Sequence, residues 1–302
     1  MRIGVGIPTY NRPHGLRRAL ASVARQSRRA DAVVVVNDAG ENVERVVGEF
    51  GDLPLQQLRH AVNRGNAAAR NTIVRALASV DVCVFLDDDD ELDPAFLEHA
   101  AAVFLQRPSL SFGWPSQRIW TDESAGPKLE AESSWVGPTS RGPLAWLKGR
   151  RTGASGLTFR PAVVTRVGPF DESLRAAVDT DWLVRAATEE SSLLDRCWLD
   201  IHREPQHAGV SSSFGARYRT YFALLKKHQT ILATDPVFHA KFLARTARLA
   251  LAADETADAR ELLLQSLRVS FSATTAATLA ATFVPNASAA YRAAVRARSS
   301  LR

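Results

Sequence analysis

Four consecutive aspartates occupy positions 87–90 and directly follow an apolar run at residues 82–86. Such a run is typical of a buried strand, which would place several carboxylates at the carboxyl edge of a sheet. Carboxylates this close repel one another, so a cation or a proton must neutralise part of their charge. One or two carboxylates together with substrate phosphates suit Mg²⁺ or Mn²⁺, and the run therefore predicts a metal or phosphate site.

Helix capping is an alternative explanation for part of this stretch. Asp93 and Pro94 precede residues 95–98 in the pattern of an N-cap, a proline at the first helical position and an acidic first turn. Capping accounts for Asp93 and could also account for Asp90 or Glu91. It leaves the aspartates at 87–89 unexplained, because they precede the predicted helix by a turn.

The elements around the aspartates alternate between strand and helix over the first 110 residues. Strand patterns lie at residues 3–7, 32–36, 55–58 and 82–86, and helix patterns at 16–24, 43–50 and 66–79. This alternation predicts an α/β fold with a mostly parallel sheet flanked by helices. Ligands bind outside the carboxyl ends of the strands in such sheets. Polar clusters at residues 8–12, 37–40 and 87–90 follow three of the strands, so we expect them to meet in one pocket.

Residues 112–150 lose this alternation, which predicts irregular loops and short strands. Four tryptophans are interspersed there with Gly, Pro and Ser: Trp114, Trp120, Trp135 and Trp146. They either pack internally or offer aromatic faces to a sugar or a lipid acceptor, and both interpretations stay open. A strand at residues 156–160, a short helix after Pro161 and a helix beginning near Asp179 are predicted next.

The chain is predicted to be wholly helical from about Arg217. We divide it into a first domain at residues 1–215 and a helical C-terminal extension at residues 216–302. Apolar spacing at residues 238–251 and 259–267 predicts a helix pair similar to one tetratricopeptide-type unit. One such unit cannot bury its own core, so the pair should pack on the main domain or on a partner.

Composition bounds the class of protein. The 302 residues are 46% hydrophobic and 23% charged, as in a globular chain. Cys83 and Cys197 lack the CxxC spacing, and Cys83 lies within a predicted strand, which fits a reducing compartment. The chain has neither a signal-peptide pattern nor an apolar run of 18 residues. We therefore expect a soluble, cytoplasmic protein, and its oligomeric state stays open.

The net charge of +6 comes mostly from scattered arginines, which favours solvated helix faces. No nucleic-acid-binding motif accompanies the charge, so we predict no nucleic-acid partner. The basic stretch at residues 291–298 and the pair Lys226 and Lys227 could meet anionic lipid headgroups or phosphate-bearing substrates. A peripheral contact at the inner membrane face is therefore one open interpretation.

Five segments, in order and spacing, resemble the motifs of the family 2 glycosyltransferases of the GT-A fold. They lie at residues 7–12, 63–71, 86–94, 168–172 and 179–182. The resemblance covers roughly residues 1–215 and implies a GT-A-type, Rossmann-like catalytic domain. It also implies transfer of a sugar from a nucleotide-diphosphate donor, with a UDP-sugar favoured, to a saccharide or lipid-linked acceptor.

The resemblance implies a set of donor-binding residues at the strand ends and at the start of the third helix. They are Pro8, Thr9, Tyr10, Arg12, Asp38, Asn63, Arg64, Arg70, Asp87 and Asp88. Asp38 would accept hydrogen bonds from a uracil-type imide, although the family usually has a second aspartate where this chain has Asn37. For Arg70 the alternative is a salt bridge that holds its loop.

A divalent ion, Mn²⁺ or Mg²⁺, is implied by the same resemblance. Asp87 and Asp89 match the two aspartates of the DxD motif, with Asp89 as the direct ligand. His207 follows at a distance where some family members place a further metal ligand.

Asp179 matches the position of the family's catalytic base. The family pattern there is Glu-Asp, whereas Val178 precedes Asp179 in this chain. As a base, Asp179 would deprotonate the acceptor hydroxyl in a single displacement that inverts the anomeric configuration. An N-cap is the alternative role, and the two roles are compatible.

Two other functions fit parts of the pattern. A nucleotidyltransferase also combines a parallel sheet, a metal and a nucleotide, but it normally carries a Gly-rich phosphate loop, which residues 8–11 do not form. A non-catalytic sugar-binding or partner-binding module could keep the same fold. The aspartate run and Asp179 argue against that second function.

Overall fold

The computed structural model describes residues 1–123, 126–133, 154–203 and 214–300. The chain divides into two compact units. The first comprises Met1–Thr139, Gly149–Ser173 and Val178–Gln206, and the second comprises Ser140–Lys148, Leu174–Ala177 and His207–Arg302. The predicted domain boundary at residue 215 stays a prediction, because compactness does not establish that either part folds alone.

Strands of the first unit form one sheet within the described residues. In chain order they are β1 Ile3–Thr9, β2 Ala32–Asn37, β3 Leu55–Arg59, β4 Val82–Phe85, β5 Asp90–Leu92, β6 Phe112–Glu123, β7 Gly126–Ser133, β8 Thr158–Phe159 and β9 Ser191–Arg203. The spatial order is β3-β2-β1-β4-β8-β6-β9-β5, with β7 paired to β6. Strands β1 to β4 are mutually parallel, and β9 is parallel to β6. The predicted α/β class with a mostly parallel sheet is confirmed.

Helices cover both faces of this sheet. In chain order they are α1 Pro13–Ala24, α2 Glu44–Gly48, α3 Asn66–Ala76, α4 Phe96–Gln106, α5 Pro161–Val167 and α6 Val178–Arg185. The alternation of large and small residues in β1 decides how closely the helices on each face approach the strand. Ile3, Val5 and Ile7 are fully buried in the same core as residues of α1. A Cβ atom on Gly6 would lie 2.1 Å from the side chain of Ile73 in α3, so α3 can rest directly on the strand.

One sequence-based prediction for this unit is wrong. Residues 112–123 form the long strand β6 rather than irregular loops and short strands, and β7 extends it as a hairpin. Pro115 obscured the strand pattern, since proline lacks the donor that a central strand needs. The ladder between β6 and β9 is irregular between Trp114 and Ser116, so Pro115 sits where the regular pairing is interrupted. Trp135 and Trp146 lie outside the described residues.

The second unit is helical throughout its described part from residue 214 onward. Its helices are α7 Phe214–Lys227, α8 Gln229–Ala233, α9 Pro236–Ala252, α10 Thr256–Val269, α11 Ala273–Ala281 and α12 Ala287–Ser300. Asp235 caps α9 by accepting a hydrogen bond from the amide of Phe238. The predicted pairing of α9 with α10 is confirmed, and Ser266 Oγ donates to the carbonyl of Ala240 at 2.8 Å. Among the described helices, none has the length and apolarity to cross a membrane.

Candidate active site

The carboxyl ends of β1 and β4 lie at the point where the order of strands in the sheet reverses. After β1 the chain adds β2 and β3 on one side, and β4 then pairs with the other side of β1. In open α/β sheets, this switch point leaves a crevice in which ligands bind. Thr9 is the last residue of β1, and Asp87 follows β4 by two residues. The structure therefore brings two of the predicted polar clusters together, and the third adjoins them, because the Asp38 amide donates to the Thr9 carbonyl at 3.0 Å.

Asp88 is the buried member of the aspartate run, at 5% exposure. Its carboxylate accepts hydrogen bonds from Thr9 Oγ1 at 2.7 Å and from an Arg12 guanidinium nitrogen at 3.2 Å. Burial raises the pKa of Asp88 to about 6, and the Thr9 hydrogen bond opposes that shift. A Cβ atom on Gly15 would lie 2.6 Å from the Asp88 carbonyl oxygen, so the first turn of α1 lies directly against the aspartates.

Arginines on both sides hold Asp87 and Asp89. The same Arg12 nitrogen that binds Asp88 donates to Asp89 Oδ2 at 2.5 Å. Arg70 donates to Asp87 Oδ1 at 2.9 Å, and its guanidinium lies 5.7 Å from the centre of the Phe85 ring. Arg70 is 4% exposed, and its Nε atom has no hydrogen-bond partner among the described residues. The alternative predicted for Arg70, a salt bridge that holds this region, is what the structure shows.

Asp90 is buried, at 5% exposure, and begins β5. Burial raises the pKa of Asp90 well above its ordinary value, and the charges of Asp89 and Asp87 raise it further. Ser155 Oγ accepts a hydrogen bond from the Asp87 amide at 3.1 Å and also hydrogen-bonds the Asp90 carboxyl group. The run therefore relieves its internal repulsion in two ways: Arg12 and Arg70 pair with three of the carboxylates, and burial favours the uncharged form of the fourth.

Asp38 organises the loop between β3 and α3. Its Oδ1 atom accepts from the Arg64 amide at 2.9 Å, and its Oδ2 atom accepts from the Gly65 amide at 2.7 Å. The His60 ring nitrogen Nδ1 lies 2.6 Å from Oδ1. Gly65 has a φ of 89°, a conformation that glycine adopts without strain and that precedes the first turn of α3. Both oxygens of the predicted base-binding carboxylate are thus engaged by protein donors.

Hydrogen bonds of the Asn71 side chain, called here the Asn71 clamp, join α3 to the segment at residues 168–172. The Asn71 side chain donates to the Phe170 carbonyl at 2.9 Å and accepts from the Phe170 amide at 2.9 Å. It also donates to Glu172, whose carboxylate pairs with the Arg64 guanidinium at 2.8 Å. Two of the five motif segments are thereby fixed to each other.

Asp179 lies inside the first turn of α6, since this helix begins at Val178. The alternative role as an N-cap is therefore wrong. Asp179 is half-buried and has no hydrogen bond or ion pair with another described residue. Trp182, one turn further on, is fully buried and stacks on Phe170 with ring centres 5.4 Å apart. Phe170 in turn contacts Phe85 at 5.7 Å, so one aromatic cluster anchors both α6 and the strand that leads to the aspartates.

The remaining predicted residues are a buried proline, three exposed side chains and one histidine outside the described residues. Pro8 is buried in β1, Tyr10 is 46% exposed, and Asn63 and Arg64 are exposed. His207 lies outside the described residues. The last described residue before it is Arg203, at the end of β9, and in the ladder Ile201 of β9 pairs with Asp90.

The described residues offer carboxylates but not a complete metal shell. They contain no group of three or more His, Cys, Asp or Glu side chains that could hold a metal ion. Asp87 and Asp89 each engage one carboxylate oxygen with an arginine. As hard oxygen donors the two side chains fit Mg²⁺ or Mn²⁺ when substrate phosphates complete the shell.

Two residues of the site were not predicted. His60 is buried between Asp38 and Thr72, and Ser155 bridges two aspartates. A signal existed for His60, because it directly follows β3 and so belongs to the same series of strand ends as Thr9 and Asp87. Ser155 carries no comparable signal, since it lies far along the chain and outside any motif.

Comparison with known proteins gives one family match and relatives that align over part of their length. The model of glycosyl transferase family 2 matches residues 4–160. The uncharacterized glycosyltransferase YwdF of Bacillus subtilis is 39% identical over 101 residues, which cover 33% of this chain and 37% of that protein. An uncharacterized glycosyltransferase of Haemophilus influenzae is 27% identical over 191 residues, or 63% of each chain. The chain thus spans less than two thirds of either relative.

Solved structures share the architecture at low identity. Staphylococcus aureus TarS 1–349, crystallised with UDP-GlcNAc, superposes with a TM-score of 0.68 at 19% identity and covers 89% of this chain and 81% of its own. The mannosyltransferase PcManGT of Pyrobaculum calidifontis, solved with GDP-Man and Mn²⁺, gives 0.58 at 18% identity over 92% of this chain and 78% of its own. This likeness concerns the fold and confirms the predicted GT-A-type architecture.

Proposed function

The chain belongs to glycosyl transferase family 2, and on that premise we propose that it transfers a sugar from a UDP-sugar to an acceptor hydroxyl. The observation that carries the proposal is the crevice at the ends of β1 and β4. There Arg12 and Arg70 flank the aspartate run at hydrogen-bond distance. Guanidinium groups match the geometry of phosphate oxygens, so the partly exposed Arg12 can bind a diphosphate, and the buried Arg70 can hold Asp87 beside it.

The nucleotide is proposed to bind over Pro8, Thr9 and Asp38. A carboxylate offers about four acceptor positions, and protein donors already take three of those on Asp38. One position on Oδ2 is left for the imide N–H of a uracil base. The UDP-GlcNAc complex of the structurally similar TarS supports a UDP-sugar as donor.

Further groups for the donor follow from the motif segments. We assign Tyr10, Asn63, Arg64 and Asp88 to the walls of the nucleotide-sugar site. The Arg64 guanidinium donates a hydrogen bond to Glu172 at 2.8 Å. This bond holds the exposed Arg64 side chain near the start of α3. The amides at that helix N-terminus favour an anionic ligand.

A divalent ion is proposed at Asp87 and Asp89, with His207 as a third protein ligand. When bound, Mn²⁺ or Mg²⁺ would supply positive charge that stabilises the diphosphate leaving group. The Mn²⁺ in the structurally similar PcManGT supports this proposal. Each carboxylate keeps an arginine partner, so the protein holds both side chains in place before any ion binds.

Asp179 is proposed as the general base. Its carboxylate has no competing partner among the described residues, and the buried Trp182 fixes the helix that carries it. It would take the proton of the acceptor hydroxyl as that oxygen attacks the anomeric carbon and the diphosphate departs from the opposite face. One displacement of this kind inverts the anomeric configuration, and the acceptor is a saccharide or a lipid-linked saccharide.

Residues 1–215 are proposed as the catalytic domain and residues 216–302 as an accessory region.

Release of UDP from UDP-sugars tests this function. The protein is incubated with UDP-, GDP- and dTDP-sugars in Mn²⁺ or in EDTA, and the free nucleotide is quantified. We expect nucleotide release from a UDP-sugar in Mn²⁺ and its loss in EDTA. Absence of release from every donor, with folded protein and with saccharide acceptors present, would contradict the proposal.

A further inference from the structure

Large apolar side chains are exposed together in the second unit. Among the described residues ten large hydrophobic side chains are exposed, and five of them lie between positions 264 and 284. We call these five the C-terminal apolar patch: Leu264, Val269, Phe271, Phe283 and Val284. Phe271 is 78% exposed and Phe283 is 66% exposed. Clustered exposure of this kind marks an interaction surface.

Helix α11 connects the two phenylalanines through an outward-facing apolar surface. Phe271 lies two residues before α11, and Phe283 lies two residues after it. The exposed alanines of α11 are spaced so that they share one face: Ala273, Ala277, Ala280 and Ala281. The buried residue on this helix is Thr275. Alanine side chains therefore make up most of the exposed face of this helix.

Contacts with α10 hold this surface in place. Arg260 of α10 donates to the Thr282 carbonyl at 2.6 Å and to its hydroxyl at 3.2 Å. The same guanidinium lies 4.3 Å from the centre of the Phe283 ring. Exposed Arg268 lies one turn after Leu264 on α10, next to Val269, and no ion pair joins it to another described residue.

The C-terminal stretch that carries most of the patch is rich in arginine, and one of these arginines, Arg292, pairs with Asp254. Residues 262–302 contain Arg268, Arg292, Arg296, Arg298 and Arg302 and no aspartate or glutamate. Five of the six net positive charges of the chain thus fall in this acid-free stretch. Two copies that met through this face would bring arginines against arginines. An anionic surface with an apolar interior complements both features, because arginine binds the headgroups while phenylalanine enters the acyl boundary.

We propose that the C-terminal apolar patch docks on an anionic lipid bilayer. α11 lies in the plane of the interface, Phe271 and Phe283 insert at its two ends, and Arg268 contacts the headgroups. This goes beyond the proposed transfer reaction and does not depend on it, since no residue of the patch belongs to the candidate active site.

Vesicle co-sedimentation of the full chain tests the proposal. We expect binding to phosphatidylcholine–phosphatidylglycerol vesicles and much weaker binding to phosphatidylcholine alone, with the difference reduced at high salt. The double variant Phe271→Ser/Phe283→Ser should bind at least about tenfold more weakly, because two aromatic side chains no longer insert. Arg268→Gln should weaken binding about fivefold, the usual contribution of one basic residue at such a surface.

Matched variants and a second measurement keep the outcome clear. Val62→Ser/Leu105→Ser removes two equally exposed apolar side chains of the first unit, and Arg29→Gln removes an exposed arginine there; neither should change vesicle binding. Release of UDP from a UDP-sugar in solution should be unchanged in all variants, so failure of the catalytic proposal would be seen separately. Equal binding of Phe271→Ser/Phe283→Ser and the unsubstituted chain would overturn the proposal. So would a dimer, detected by light scattering, that the double variant dissociates, because a second copy would then cover the patch.

Discussion

The hydroxyl of Thr9 donates a 2.7 Å hydrogen bond to the carboxylate of Asp88, across 79 positions of sequence. This bond joins the ends of β1 and β4 and closes the floor of the crevice. It also stabilises the ionised form of a buried carboxyl group whose pKa is raised to about 6, chiefly by burial. Both effects can be measured through one substitution.

Thr9→Val should destabilise the protein more at about pH 8 than at about pH 4.5. The folded pKa of Asp88 lies above its unfolded value, so ionisation of Asp88 lowers the free energy of unfolding as pH rises through about 6. Loss of a hydrogen bond to the charged carboxylate then costs about 1.5–3 kcal/mol, against about 1 kcal/mol for the neutral acid. Denaturant unfolding at the two pH values measures the difference.

Thr246→Val is the control for that experiment. The buried Thr246 hydroxyl donates to the uncharged Phe242 carbonyl at 2.9 Å, so its removal should cost the same at both pH values. An equal cost of Thr9→Val at the two pH values would mean that the Asp88 carboxyl group does not change its protonation between them.

UDP should bind weakly without a divalent ion, and Asp89→Ala should remove the metal-dependent part of the affinity. Arg12 and Arg70 face three carboxylates, so the aspartate run keeps a negative charge that repels a diphosphate unless a further cation lies between them. Calorimetric titration of UDP in Mn²⁺ and in EDTA checks this, with the exposed Asp52→Ala as the control that should behave like the unsubstituted protein. Equal affinity in Mn²⁺ and EDTA would rule out a metal at these carboxylates.

Asn71→Ala should lower the free energy of unfolding by about 2–4 kcal/mol, because it leaves the buried amide and carbonyl of Phe170 without partners. Donor turnover should fall as well, since Phe170 packs between Phe85 and Trp182. Thermal and denaturant unfolding measure the loss. Asn42→Ala, at an exposed position, should change stability by less than about 1 kcal/mol. A small effect of Asn71→Ala would show that the Asn71 clamp is dispensable.

Strands β1 to β4 and the location of the crevice could be predicted from the sequence. The β-branched run at residues 32–36 and the Ile-Gly-Val-Gly-Ile pattern at residues 3–7 have few structural alternatives, and strand ends in parallel sheets converge on one edge. β6 and β9 escaped prediction because Pro115 interrupts one of them and because their parallel pairing joins distant segments. The partners of the aspartates also escaped, since the choice of Arg12, Arg70 or Ser155 depends on distances in the folded chain rather than on any local pattern.

Turnover of Asp179→Asn tests whether Asp179 is the general base. The substitution keeps the size of the side chain and removes the base, and α6 should persist because Trp182 remains buried. We expect unchanged UDP affinity in Mn²⁺, a melting temperature close to that of the unsubstituted protein, and glycosyl transfer slowed by roughly 10²–10⁴-fold, the usual contribution of a general base. Asp52→Asn serves as the matched control. An Asp179→Asn protein that transfers sugar at nearly the unsubstituted rate would contradict the assignment of the base.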